Sequence, residues 1–204
     1  MSLRNLTTKA FNNSNKIMAP ISHKLALGAG CYWGTEKFVV KDFQKRFPDS
    51  IKDAKVGFMA PDPKAMENPS YRQVCSGSTG HVEVLYVELK EPVESNFEHL
   101  MRFFYQFHDP TTKDRQGNDA GSQYASAVFC DDDKQKEIAL KVKGELQELV
   151  NKGKVKYSKS EVVTNIVGMN PFYPAEAEHQ EYLDKNPSGY CNHRIVFKEW
   201  PELN

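Results

Sequence analysis

Val82 to Leu89 reads Val-Glu-Val-Leu-Tyr-Val-Glu-Leu, an almost unbroken apolar run rich in β-branched side chains. A strand that is apolar at nearly every position, rather than at every second one, is covered on both faces or nearly so. Around it, Lys24–Gly28 reads as a short apolar strand, Thr35–Phe47 as a helix stopping before Pro48, and Ala54–Phe58 as a strand. Met59–Pro69 holds three prolines and no apolar period, the pattern of a long loop.

Ser95 and Glu98 have capping-box spacing, and the helix they would open runs to about Phe107 with Phe97, Met101, Phe104 and Tyr105 on one face. Asp109–Gly121 is a polar loop and Tyr124–Cys130 a strand. Asp132–Asn151 is a long charged helix closed near Gly153, with an apolar stripe of Ile138, Val142, Leu146 and Val150. Val155–Ile166 alternates well enough for a last strand, and Ala175–Asp184 reads as a short helix. The order strand-helix-strand-strand-helix-strand-helix-strand predicts an α+β protein: a single two-layer α/β sandwich with a ferredoxin-like core, long loops and an extended C-terminal tail.

The 204 residues suit one domain, taken as 23–204 behind a flexible arm at 1–22. Lys+Arg and Asp+Glu balance at 27 each, which argues against nucleic acid or a membrane surface as partner. No apolar stretch reaches the roughly 18 residues a bilayer span needs. No acidic residue precedes Glu36, and Arg4, Lys9, Lys16 and Lys24 lie in that stretch. This composition fits either a disordered leader or a transit peptide, so the expected location is cytoplasmic, or mitochondrial through that segment.

The four cysteines, at 31, 75, 130 and 191, include no C-x-x-C pair, so neither a zinc site nor a secreted disulfide scaffold is expected. A reducing compartment with one or two redox-active thiols fits better, with no metal and no cofactor. Cys31 sits where the first strand ends and the first helix begins. A helix N-terminus presents unpaired N–H groups and about half a positive charge, so the thiol pKa is expected to fall below its free value of about 8.5. By position alone, a buried structural cysteine beside two core aromatics, Tyr32 and Trp33, fits equally.

Gly30-Cys31-Tyr32-Trp33-Gly34 resembles the signature of the class A peptide methionine sulfoxide reductases. The resemblance continues through Tyr71–Gly77, Gly80–Glu83, His108–Thr111, Gln116–Asp119 with Gln123-Tyr124, and His179–Leu183 with Asn186–Cys191. Six motifs in order cover most of the chain. The family implies reduction of the S epimer of methionine sulfoxide, free or in proteins, as oxidative-damage repair.

Carried onto this chain, the resemblance makes Cys31 the nucleophile and Glu83 the general acid. The apolar neighbours Val82, Val84 and Leu85 would keep the Glu83 carboxyl protonated near neutrality. Tyr71 and Tyr124 would donate to the sulfoxide oxygen, Asp119 would orient a substrate group or a water, and Tyr32 and Trp33 would hold the substrate's methyl and thioether carbons. Attack would leave a Cys31 sulfenic acid. Cys191, in a stretch with few regular-structure signals, is the best candidate to condense with it, and thioredoxin would reduce the resulting disulfide.

Cys130 reads as a core cysteine and Cys75 as a bystander or alternate resolver. His81, His108 and His179 read as structural, and Glu176, Glu178 and Glu181 as a solvated helix face. Tyr32 departs from the commoner Phe by one hydroxyl, and no cysteine follows Cys191, so a single disulfide step is expected of a monomer. Two rivals remain open on sequence alone: a Cys–His acyl-transfer hydrolase using Cys31 with His81 or His179, and a non-enzymatic redox module.

Overall fold

A computed structural model describes residues 19–204. Among these residues are eight strands: β1 Lys24–Ala29, β2 Ile51–Met59, β3 Val82–Leu89, β4 Arg115–Gln116, β5 Asp119–Ala120, β6 Ser126–Cys130, β7 Asn165–Gly168 and β8 Tyr173–Pro174. The helices are α1 Tyr32–Glu36, α2 Gln44–Arg46, α3 Tyr71–Cys75, α4 Val93–Gln106, α5 Asp133–Asn151 and α6 Tyr182–Lys185, with a wide π-helical stretch, Lys37–Phe43, joining α1 to α2. Six strands form one sheet in the order β7-β6-β1-β3-β2-β8, and β4 pairs with β5.

The central strands β6-β1-β3-β2 are all antiparallel neighbours, which with their crossing helices is the expected ferredoxin-like arrangement. The run at Val82–Leu89 is a strand over its whole predicted length and lies inside the sheet. Side-chain alternation sorts it: Leu85, Val87 and Leu89 join the main core with Leu25, Leu27, Phe97, Phe104, Val142 and Leu146. Val82 and Val84 face the other way, with Ala26, Met59, Ala127 and Phe129, under Val167, Met169 and Phe172.

The predicted stripe of α4 is buried, and so is that of α5 up to Leu146, beyond which Leu149 is buried and Val150 only partly so. Asp132 caps α5 by accepting from the Gln135 N–H, and Gly153, at φ +69°, closes it. There Gly153 donates to Val150 and Lys154 to Leu149, a Schellman stop.

Several boundaries differ from the sequence reading. The Ser95–Glu98 capping box does not form. Helix α4 begins at Val93, whose N–H is taken by the Glu91 carboxylate, while Glu98 pairs with Arg102. The capping box that does form is Ser70 with Gln73 at α3. Residues 122–124 make a 3₁₀ turn, so β6 begins only at Ser126.

Val155–Ile166 is largely irregular, because side chains satisfy its backbone. The N–H groups of Ser158, Lys159 and Val162 donate to Asp109, Thr111 and Gln147. Only Asn165–Gly168 pairs, parallel to β6. The predicted Ala175–Asp184 helix shrinks to α6, since Glu181 stands at φ 54° and Gln180 is committed elsewhere. The Gln180 amide accepts from Val56 N and donates to Val56 O, closing the exposed edge of β2.

Residues 186–204 carry no regular structure but lie pinned on the body through His193, Val196 and Lys198. At the other end Ile21 packs on the core and the Ser22 N–H donates to Asp132, so the domain reaches two residues into the expected arm. Residues 1–18, with the targeting reading, lie outside the described residues. Among the described residues, no helix is long and apolar enough to cross a membrane and no cluster of His, Cys, Asp and Glu could hold a metal.

Candidate active site

Strand β1 delivers Cys31 to the start of α1. Gly30, at φ +90°, makes the turn, and Cys31 is the N-cap residue with Tyr32 the first helical position. On β3, Glu83 has the parity of Leu85 and points toward the helix-covered face. The two elements meet there. The Tyr32 backbone N–H donates to Glu83 Oε2 at 3.1 Å, placing the carboxyl one peptide unit from the cysteine.

Glu83 is 2% exposed, and burial raises its pKa to about 8, against a lowering by that Tyr32 N–H. Burial thus moves the Glu83 carboxyl in the direction its apolar neighbours implied. Cys31 behaves differently from expectation. Burial drives its thiol well above the ordinary value, and the Glu83 and Asp119 charges add to the rise. The Trp33 and Gly34 N–H groups oppose it, as the helix-terminus argument requires, but they are outweighed. Two or three partial charges cannot repay the loss of water around a thiolate at 8% exposure.

Tyr71 and Tyr124 join the same cluster. Burial raises both hydroxyls' pKa values, and the Glu83 charge acts on both. Tyr71 lies within hydrogen-bonding reach of the half-buried Cys75 thiol at the end of α3. Asp119, on the β4–β5 hairpin, accepts from the Tyr190 hydroxyl at 3.1 Å and from Asn192 Nδ2 at 2.9 Å. Tyr32 is 1% exposed, and its hydroxyl has no partner. The Trp33 indole stacks on Tyr182 at 3.8 Å and donates to His179 Nδ1 at 3.3 Å. His179 also packs on Tyr71 at 4.5 Å, so α6 and its preceding turn wall the site.

Residues 23–201 match the profile described as "Peptide methionine sulfoxide reductase". The chain belongs to the peptide methionine sulfoxide reductase family. The reductase of Vibrio parahaemolyticus is 39% identical over 89% of this chain and 80% of its own. The "Mitochondrial peptide methionine sulfoxide reductase" of Mus musculus is 37% identical over 91% of this chain and 75% of its own. Mxr1 from Saccharomyces cerevisiae, in its reduced form, superposes with a TM-score of 0.72 at 36% identity, over 85% of this chain and 92% of that one. The chain is thus an oxidoreductase, a peptide-methionine (S)-S-oxide reductase.

In this reductase all four cysteines are free thiols, with Cys31 and Cys130 buried, Cys75 between, and Cys191 exposed. His193, two residues past Cys191, was missed by sequence reading because no motif carries it. Its Nε2 meets the Ala29 carbonyl at 2.6 Å, and its Nδ1 lies 4.0 Å from Cys191 Sγ. Gly34 leaves it room, since a Cβ there would overlap the imidazole. The Cys191 segment is therefore anchored beside the Cys31 turn rather than loose, as its lack of regular structure had suggested. Burial lowers the pKa of His193 to about 4 and of His108 to about 3. His108 is held between Phe104 O and Ser126 Oγ, the structural role expected of it. The two histidines that a hydrolase would need are engaged elsewhere, His81 Nδ1 at the Thr79 carbonyl and His179 Nδ1 accepting from the Trp33 indole.

Proposed function

We propose that this reductase acts through Cys31 as nucleophile and Glu83 as general acid, and that the Tyr32–Glu83 hydrogen bond is the observation on which this reading rests. The neutral Glu83 carboxyl protonates the sulfoxide oxygen, with Tyr71 and Tyr124 donating as charge builds there. The Cys31 sulfur attacks the oxidised sulfur as its proton is lost. That attack forms an S–S bond; this bond and the sulfoxide S–O bond then break as the oxygen passes to the Cys31 sulfur as a sulfenic hydroxyl, and methionine departs as the thioether. Cys31 is oxidised by two electrons, the sulfoxide is reduced by two, and the thiol proton replaces the one Glu83 lent.

The raised Cys31 pKa suits this order of events. The free site holds a thiol, protected from adventitious oxidation, and the thiolate forms only against a protonated sulfoxide. Tyr32 and Trp33 flank the cysteine and supply the apolar wall for the substrate methyl group, and Asp119 orients the polar end through Tyr190 and Asn192.

Cys191 then condenses with the sulfenic acid, releasing water and forming a Cys31–Cys191 disulfide. The His193 anchor supports this pairing. A dithiol protein of the thioredoxin class reduces the disulfide, ending as a disulfide itself. The enzyme acts as a monomer on free or protein-bound methionine sulfoxide. The compartment is cytoplasmic, or mitochondrial where residues 1–22 direct it there.

The deciding assay incubates the protein with methionine-S-sulfoxide or methionine-R-sulfoxide and dithiothreitol, beside a Cys31→Ser control. S-selective reduction absent from the control is expected. Activity that survives Cys31→Ser, or that favours the R epimer, overturns the assignment.

A further inference from the structure

A cleft of about 520 Å³ lies beside the active site, lined by Arg115, Lys156, Arg194, Asp109, Asn192 and Tyr157 among others. Its three cations are exposed. Arg115 donates to the Gly117 carbonyl, and neither Lys156 nor Arg194 enters an ion pair among the described residues. The one carboxylate in the lining is occupied. Asp109 Oδ1 accepts from the Thr111 N–H and hydroxyl, and Oδ2 from the Ser158 N–H. The rim thus carries three positive charges against the single hydrogen-bonded Asp109 carboxylate, in a chain whose net charge is zero.

Asn192 and Arg194 flank His193, so the cleft is built partly from the segment that carries Cys191. None of Glu83, Tyr71 and Tyr124 lines it, which separates it from the sulfoxide pocket. We propose that this cleft is the docking surface for acidic side chains on the dithiol protein that reduces the Cys31–Cys191 disulfide, an inference that rests on the recycling step above. A protein delivering a thiolate to the exposed Cys191 sulfur must settle over the residues beside it. Unpaired cations there attract an acidic surface and the incoming negative sulfur alike.

The test uses the full chain and compares Lys156→Glu/Arg194→Glu with wild type, reducing free methionine-S-sulfoxide with either dithiothreitol or thioredoxin, its reductase and NADPH. The expected result is a rise of about tenfold in KM for thioredoxin, with unchanged turnover on dithiothreitol. Added salt should weaken the wild-type thioredoxin reaction toward the variant's level. The neutral Lys156→Gln/Arg194→Gln protein should shift the same way by less, guarding against misfolding of the reversed variant. An unaltered KM for thioredoxin overturns the inference, as does an equal loss with dithiothreitol in both variants. So does a loss confined to acidic sulfoxide-bearing peptides under dithiothreitol, which assigns the cleft to substrate. Wild-type protein that turns over with dithiothreitol but never with thioredoxin removes the recycling step itself.

Discussion

The Tyr32 backbone N–H donates to a Glu83 carboxyl oxygen at 3.1 Å, so the first residue of helix α1 and the second residue of strand β3 hold one acid against one thiol. The bond steadies the carboxyl without ionising it, because burial outweighs a single donor and leaves the pKa at about 8.

Activity should track that proton. With Glu83 donating, kcat/KM for free methionine-S-sulfoxide is expected to fall about tenfold per pH unit above pH 8, the pKa of the buried acid. Glu83→Gln should lower the rate by about 100-fold or more and abolish that alkaline limb. An unchanged pH profile in the variant would assign the proton to another group.

Stability should carry the same signature. Glu83 has a folded pKa above its unfolded value of 4.5, so its neutral form is tolerated fully below that value, and stability is lost as pH rises from about 4.5 to about 8. The loss is of order 3–5 kcal/mol by the shift alone. His108 and His193 act in the opposite direction, being held neutral, so stability is lost as pH falls below 6.5 toward about 3 and about 4, respectively. Urea unfolding of wild type and Glu83→Gln across this range should show the variant losing less stability on the alkaline side.

A Cys191→Ser enzyme should complete one turnover and stop. The expected product is one equivalent of methionine per protein, with a sulfenic acid on Cys31 that a dimedone probe labels and mass spectrometry locates. Sustained thioredoxin-supported turnover in this variant would instead make Cys75 the resolving thiol.

The fit between Gly34 and His193 should be measurable. Gly34→Ala places a methyl group into the imidazole and is expected to destabilise the fold by about 1–3 kcal/mol, as overpacking does. Adding His193→Ala should relieve the clash, so a double-mutant cycle in thermal unfolding should be strongly non-additive.

Tyr32→Phe should raise stability by about 1 kcal/mol, because the hydroxyl it removes is buried without a partner. Chemical denaturation reads this directly, and a loss of stability would mean that the hydroxyl is satisfied in solution.

Periodicity within a short stretch determined much of this protein. The continuous apolar run made β3 a doubly covered strand, the spaced stripes on α4 and α5 named their buried faces, and Cys31 was legible at a strand-helix junction. What tertiary structure decided is whatever depends on the covering of a group by distant chain. The Cys31 thiol rose rather than fell because residues far away in sequence exclude water from it. Residues 155–164 stayed out of the sheet because Asp109, Thr111 and Gln147 claimed their N–H groups. The segment around Cys191 is anchored because Gly34 leaves a space that His193 fills. Desolvation and hydrogen-bond competition are sums over neighbours in space, and no local pattern of residues encodes them.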